Sequence, residues 1–274
     1  GIVIENYFKR MNARLNLDHA VTDKLLIGTN MAVSKTRNRR SFNDNTYTGI
    51  ITNAIGASPL MPVYDENGGY AKFEDYQANW LSDNPVKSAK EIQGFTTSYR
   101  FLGSVFAEYK ITPDLKFKTT FNADYTSVED QLLLSAITTD AEAVGGKGFN
   151  ANFRNTTWLN ENTFNYLKSF DDHNLGVLVG FSQQESKNER SSIAGQGFPL
   201  GSGLTNISSA ALITGAAQNG SSWRLHSFLG RVNYDYNGKY LASFTFRADG
   251  SSRFAAGNRY GFFPSASVGW NLDK

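Results

Sequence analysis

The chain has 274 residues, of which 40% are hydrophobic and 14% aromatic, and it carries a formal net charge of +2 and no cysteine. This composition excludes a disulfide framework, a thiolate metal site and a cysteine nucleophile, and the charge gives no basis for a nucleic-acid-binding surface. No apolar run approaches the roughly 20 residues that a membrane-spanning helix requires, whereas a strand of a transmembrane β-barrel needs only every second residue to be apolar. Composition alone leaves a transmembrane barrel and a soluble β-sandwich equally open.

Two alternating segments near the start of the chain predict a hairpin. In Tyr7–Ala20, apolar residues such as Leu15 and Leu17 alternate with polar ones. The turn Val21–Lys24 separates this segment from Leu25–Ser34, where the alternation resumes. Alternation with a period of two indicates a strand whose two faces meet different surroundings.

A very long connection follows, from about Lys35 to Thr96. Within it we predict a short helix over Tyr47–Ala57, which ends before Pro59. We also predict a small hairpin over Pro62–Tyr70 with Asn-Gly at its tip.

The next pair of predicted strands shows the strictest alternation in the chain. Tyr99–Ile111 and Leu115–Tyr125 flank Thr112-Pro113-Asp114, which has proline where a tight turn favours it. A third pair is predicted over Phe149–Phe170 and Leu175–Lys187, with His173 in the turn between them.

Two segments depart from regular alternation. The pattern is poor from Trp158 to Asn165, where we predict a β-bulge. The segment Gly195–Gly220 is rich in glycine, serine and alanine, and we expect a mobile loop there.

The last predicted pair begins at Trp223–Tyr236 and continues from Tyr240 after the hairpin signal Asn237-Gly238. A final strand is predicted over Phe262–Leu272, which makes about nine strands in all. If these strands form an up-and-down meander, every short turn lies at one end and every long connection at the other. Outer-membrane barrels have this asymmetry and soluble sandwiches do not, so the pattern favours an all-β, antiparallel partial transmembrane barrel with long extracellular loops.

A dense motif spans the last two predicted strands and the loop between them. It reads R-x-D-G-S-S-R-F, then N-R-Y-G-x-F-P-S, then a tryptophan near the end of the strand. This stretch closely resembles the SusC/RagA family of TonB-dependent outer-membrane transporters. The matching positions, which we call the signature residues, are Arg247, Asp249, Gly250, Ser251, Ser252, Arg253, Phe254, Asn258, Arg259, Tyr260, Gly261, Phe263, Pro264, Ser265 and Trp270.

The resemblance implies a barrel of about 22 strands that encloses an N-terminal plug. We therefore expect residues 1–274 to be part of one barrel domain of a longer protein, without the plug or a signal peptide. The resemblance also implies active import of oligosaccharides, or of peptides in some members, across the outer membrane of a Gram-negative bacterium. The implied partners are a SusD-like surface lipoprotein that acts as a lid, and TonB, which supplies the energy through a missing N-terminal part.

The sequence contains no convincing catalytic or metal-binding motif. His19, His173 and His226 lie on separate segments, without ligand or triad spacing. Gly195–Gly201 lacks the ending of a phosphate-binding loop, and Asp65–Gly69 lacks the later glutamate of a calcium loop. We predict no enzyme activity and no cofactor.

Two groups of residues remain candidates for function. The signature residues are interpreted mainly as architecture, because a motif that marks a family whatever its cargo is better explained by structure than by specificity. In the longest connection, aromatic rings are candidate contacts for a ligand or the lid: Tyr64, Tyr70, Tyr76 and Trp80.

The alternative hypothesis is a soluble, secreted or surface β-sandwich that acts in adhesion or carbohydrate binding. In that fold, aromatic residues such as Phe121 and Phe244 would be buried against a second sheet. In a barrel they would face lipid.

Overall fold

The computed structural model describes residues 3–41, 48–76, 83–199 and 205–273. Those residues form one nine-stranded antiparallel sheet in which each strand pairs with its neighbours in chain order. The strands are β1 (Tyr7–Ala20), β2 (Leu25–Arg40), β3 (Ile92–Lys110), β4 (Leu115–Leu134), β5 (Lys147–Phe170), β6 (His173–Gln196), β7 (Leu212–Tyr236), β8 (Tyr240–Ser251) and β9 (Tyr260–Trp270). The predicted fold class, an all-β meander, is confirmed.

Two short helices lie in the connection between β2 and β3: α1 (Ile50–Gly56) and α2 (Pro85–Glu91). Helix α1 confirms the centre of the predicted helix, whose first residue, Tyr47, lies outside the described residues. Three 3-10 turns complete the loops at Phe73–Asp75, Glu142–Val144 and Ile207–Ser209. Within the described ranges, neither α-helix is long and apolar enough to cross a bilayer.

The two ends of the sheet differ as the sequence predicted. At one end, tight turns join the strands at 21–24, 111–114, 171–172 and 237–239. At the other end lie the longer connections 41–91, 135–146, 197–211 and 252–259. Strands β3 to β7 have 19 to 25 residues, about twice the length that a transmembrane β-strand needs.

The two faces of the sheet have different chemistry. One face, which we call the outer face, carries exposed large apolar side chains such as Phe121, Phe164 and Phe244. Near the turn end its rings form a ladder across the strands, with Tyr240 stacked 6.4 Å from both Tyr236 and Trp270. Apolar side chains with an aromatic girdle are what lipid contact requires.

The opposite, inner face is concave and mainly polar, with residues such as Asn30, Asn122 and Ser267. The described residues contain no second sheet that could bury the outer aromatic side chains. The β-sandwich alternative is therefore wrong.

The predicted bulge between Trp158 and Asn165 is also wrong, since β5 keeps an unbroken register with both neighbours there. The alternation is weak because Asn160 and Asn162 lie on the outer face and satisfy one another: Asn162 Nδ2 donates to Asn160 Oδ1 at 2.6 Å. The register shift in the sheet occurs instead at Ala194/Gly195, where β6 pairs with the start of β7.

Two further predictions need correction. Parts of Gly195–Gly220 belong to β6 and β7, because a long neighbouring strand supplies a hydrogen-bond ladder that compensates for weak propensity. His173 is the first residue of β6 rather than a turn residue. Its ring lies 5.2 Å from that of Phe170 and 4.9 Å from that of Tyr236, so it belongs to the aromatic girdle.

The assignment of the faces predicts opposite effects for one charge placed at adjacent positions of β9. Ala266 lies on the outer face opposite Phe244, and Ser267 lies on the inner face opposite Ser243. Ala266→Arg should cost about 2–4 kcal/mol, because it places a charge in the hydrocarbon, whereas Ser267→Arg should be tolerated. The fraction of full-length receptor that folds in the outer membrane, read as heat-modifiable mobility, checks this. Equal losses for the two variants would contradict the assignment.

Candidate functional site

The inner face forms a polar wall around a concave cavity of about 530 Å³. Its lining combines apolar side chains, such as Met31, Leu102 and Leu159, with amide, hydroxyl and charged groups: Arg14, Asn16, Asn30, Ser104, Asn122, Asp124, Thr157 and Gln184. Asp124 is occupied by Arg100, whose Nε and Nη2 donate to it at 3.2 Å and 2.8 Å. Such a wall offers hydrogen bonds to hydroxyl or amide groups of a solute.

The signature residues begin on the inner face of β8. Arg247 Nε donates to both carboxylate oxygens of Asp249, at 2.9 and 2.8 Å, and Arg247 Nη2 donates to Ser227 Oγ of β7 at 3.2 Å. Ser227 is completely buried beneath this pair. The contacts therefore fasten β8 to β7 near the extracellular end of β8.

The loop after β8 folds back onto β7. Ser252 N donates to the carbonyl of Arg224 at 2.9 Å, and Arg224 N donates to Ser252 Oγ at 2.8 Å. The guanidinium of Arg253 lies over the ring of Trp223 at 5.3 Å, and Ser251 N donates to the carbonyl of Arg259 at 2.9 Å. This loop is thus pinned by backbone and side-chain contacts along its length.

At two positions of the signature, a side chain in place of glycine would displace an aromatic ring. A Cβ at Gly250 would lie 2.5 Å from the ring of Tyr260, its register partner on β9. A Cβ at Gly261 would lie 2.9 Å from the ring of Phe263. Both glycines let an aromatic ring cover exposed backbone.

The other signature residues separate into two groups. Pro264, Ser265 and Trp270 are strand residues of β9, and Trp270 closes the aromatic ladder. Phe254 and Asn258 lie in the pinned loop, where Phe254 is 61% exposed. None of the described contacts joins the signature residues to the tyrosines of the long connection.

The predicted small hairpin in the long connection is confirmed. Tyr64 and Tyr70 form an antiparallel bridge, and their rings lie 5.6 Å apart. Asp65 Oδ1 accepts hydrogen bonds from the backbone N of Asn67 at 2.8 Å and of Gly69 at 2.9 Å. The carboxylate that suggested a calcium loop therefore shapes the turn.

Helix α2 holds both tyrosines. Tyr70 OH donates to Glu91 Oε1 at 3.2 Å, and Lys90 Nζ donates to Tyr64 OH at 2.8 Å. Burial, followed by the charge of Glu91, raises the pKa of Tyr70 to about 12. Tyr76 follows a 3-10 turn and is 43% exposed, and Trp80 lies outside the described residues.

Helix α2 is not among the predicted elements, although Asn84-Pro85 signals its start. Asn84 Oδ1 caps the helix by accepting from Val86 N at 3.0 Å, and proline suits the first turn. Asn84 Nδ2 also donates to the carbonyls of Val63, at 2.9 Å, and Ala71, at 3.2 Å. One asparagine thus joins the helix to the hairpin.

The β2–β3 and β4–β5 connections share a small core. Buried side chains include Phe73, Asp83, Thr138 and Ala141. Asp83 accepts from Thr139 N at 3.1 Å and forms an ion pair with Lys87, so the β2–β3 and β4–β5 connections are tied together. The hairpin that carries Tyr64 and Tyr70 is therefore supported by a folded region of the two connections.

The glycine of the signature yields a prediction with an internal control. Gly250→Ala should destabilise the barrel by about 1–3 kcal/mol, because the new methyl group displaces the ring of Tyr260. Gly230→Ala on β7 should be near neutral, since a Cβ there meets nothing within 4 Å. Thermal unfolding of the purified receptor checks both variants, and a harmless Gly250→Ala would refute the steric explanation.

The pKa of Tyr70 also yields a prediction. In the unfolded chain Tyr70 ionises near its ordinary pKa of 10.0, whereas in the folded loop its pKa is about 12. The folded loop therefore loses stability as pH rises from 10 to 12, because the unfolded chain gives up the proton first. The wild type should therefore lose stability relative to Tyr70→Phe in that window. A difference titration of tyrosinate absorbance between the two proteins should have a midpoint near 12. Glu91→Gln should lower that midpoint only in part, since burial remains, and a midpoint at 10.0 in the wild type would contradict the prediction.

No protein-family model matches the chain. It is 30% identical over 285 residues to TonB-dependent receptor P3 of Formosa agariphila, and 26% identical over 299 residues to TonB-dependent receptor SusC of Bacteroides thetaiotaomicron. Both alignments cover 100% of this chain and 28% of the relative. The chain thus spans little more than a quarter of the length of these relatives.

Solved structures agree on the fold. The RagAB peptide transporter superposes with a TM-score of 0.78 at 22% identity, covering 96% of this chain and 30% of that one. The open-open state of the RagAB peptide importer gives a TM-score of 0.79. The superpositions confirm the fold. The alignments to TonB-dependent receptors, SusC among them, confirm over the whole chain the resemblance to the SusC/RagA family of TonB-dependent receptors.

Proposed function

We propose that the chain is a section of the barrel domain of an outer-membrane active transporter that imports oligosaccharides or peptides. The observation that carries this proposal is the division of one continuous sheet into an apolar, aromatic outer face and a polar, concave inner face. The similarity to TonB-dependent receptors, which extends over the whole of this chain, supports the proposal. In this proposal, residues 1–274 all belong to a single barrel domain.

This section of the barrel would form part of the wall of the transport path and would catalyse no reaction. Amide groups such as those of Asn16, Asn122 and Gln184 can exchange hydrogen bonds with the hydroxyls of a sugar or the amides of a peptide. Transport through such a wall needs no catalytic residue and no cofactor.

The partners follow from the same proposal. A SusD-like lipoprotein would cover the extracellular end, where the folded connection with Tyr64 and Tyr70 stands. TonB would supply energy through a part of the receptor outside this chain. The exposed ring of Tyr64 is a candidate contact for cargo or lid, and the signature residues would hold β7, β8 and their loop in position.

Uptake by cells tests the function. A deletion of the receptor gene should abolish uptake of one labelled class, oligosaccharides or short peptides, and restoring the gene should restore it. Uptake should also stop when a protonophore collapses the proton gradient, because the proposed transport is active. The class that is lost identifies the cargo.

Two results would refute this proposal. Unchanged uptake of both classes in the deletion strain would exclude an importer of either. Uptake that survives the protonophore would indicate passive diffusion through a pore.

A further inference from the structure

The half of β7 that lies away from the tight turns has a strand partner on one side only. Strand β7 pairs with β6 from end to end, but with β8 only from Leu225 onwards. The loop after β8 extends that pairing by one residue, to Arg224. Over Leu212–Ser222 the described part of the chain supplies no strand on the second side, and we call this segment the open edge.

The open edge does not belong to a terminal strand of the sheet. Both neighbours of β7 lie in this chain, and the edge is open because β8 has only 12 residues, whereas β6 has 24. A strand needs about 9–11 residues to cross the hydrocarbon of a bilayer, so β8 is long enough to pair the membrane-spanning part of β7. The open edge then lies in water, on the side of the long connections, where its backbone groups are accessible.

The contacts of Arg224 define which backbone groups point out of the open edge. Arg224 N donates to Ser252 Oγ at 2.8 Å, and the Arg224 carbonyl accepts from Ser252 N at 2.9 Å. In an antiparallel sheet the backbone groups of successive residues point to opposite sides of the strand, so every second residue points the same way. Residues 216–222 keep a regular register with β6, and those whose N–H and C=O point outwards are Ser222, Gly220, Gln218 and Ala216.

The side chains of the open edge leave it unprotected. Proteins usually shield an exposed strand edge with charged residues or proline. The open edge contains neither, and all of its residues are exposed. From Gly215 to Ser222, only Gln218 and Asn219 have side chains larger than those of alanine and serine. A second backbone can therefore approach closely.

The spacing of these backbone groups selects the chemistry of a ligand. Outward N–H and C=O groups recur every two residues, or about 6.7 Å, and an extended polypeptide presents complementary groups with the same repeat. The hydroxyl groups of a sugar do not follow this repeat. The open edge also lacks the aromatic residues and arginine that usually anchor a folded protein partner, which favours a short peptide.

We propose that the open edge binds an extended peptide, which adds to the sheet as a further strand beside β7. Main-chain hydrogen bonds would provide the affinity, and the small side chains of the edge would accept peptides of varied sequence. This inference rests on the proposed function and narrows its cargo to peptides.

The test titrates full-length receptor in detergent with a fluorescent octapeptide of alternating threonine and alanine. Gln218→Pro should lower the affinity at least about tenfold, because it removes an outward N–H and places a ring where the peptide backbone would lie. The ladder with β6 should persist, since that N–H does not take part in it. The matched control Gln218→Ala keeps the N–H and should bind within about twofold of the wild type. Heat-modifiable mobility shows whether both variants fold.

Two measurements on the wild type do not depend on the folding of a variant. An ester analogue of the octapeptide, with the same side chains but no backbone N–H, should bind at least about tenfold more weakly. The bound octapeptide should also slow hydrogen exchange over residues 216–222 and leave residues 240–250 unchanged.

Several results would overturn the inference. These are equal binding of the ester analogue, protection elsewhere than residues 216–222, unchanged affinity in a folded Gln218→Pro variant, and equal losses in Gln218→Pro and Gln218→Ala. The last result would mean that the side chain of Gln218 is recognised and not the backbone.

The uptake assay separates this inference from the proposed function. Unchanged uptake of both oligosaccharides and peptides in the deletion strain contradicts the proposed function. Loss of oligosaccharide uptake alone, with no binding of the octapeptide to the purified receptor, contradicts only the peptide site.

Discussion

The hydrogen-bond ladder between consecutive strands is the constraint on which this structure depends. In hydrocarbon, each backbone N–H and C=O must find a partner within the protein, and a sheet can provide those partners only by pairing strand with strand. The pairing of each strand with its neighbours from β1 to β9, with one register shift at Ala194/Gly195, meets this demand within the sheet. Once the backbone is fixed in this way, side chains must alternate between two surroundings, and that alternation produces both the apolar outer face and the polar inner wall.

Features outside the ladder have to stabilise themselves by other means. The connection between β2 and β3 does so with a small core and with Asn84, which joins α2 to the hairpin of Tyr64 and Tyr70. The loop after β8 does so by pairing with Arg224 and by placing Arg253 on Trp223. These two regions show the same solution at different scales, namely hydrogen bonds to backbone plus contacts with a few aromatic rings.

Much of the sheet could be predicted because its signals are local. The period of two in β1, the proline turn before β4 and Asn237-Gly238 before β8 each fix an element through nearby residues. The predictions failed where a contact between residues far apart in the sequence determines the local structure. Asn160 and Asn162 suppress the alternation of β5 without disturbing its register. The first half of β7, which is rich in glycine, alanine and serine, forms a strand because β6 lies beside it. The pairing of Tyr70 with Glu91 likewise joins residues that no spacing rule connects.

The unequal lengths of the strands shape the extracellular opening. β5, β6 and β7 have 24, 24 and 25 residues, whereas β8 and β9 have 12 and 11. At about 3.3 Å per residue and a tilt near 40°, the margin of the wall should drop by roughly 30 Å between β7 and β8. Among the nine strands of this chain, the wall is therefore lowest at β8 and β9, and a bulky molecule would meet least obstruction at that part of the margin.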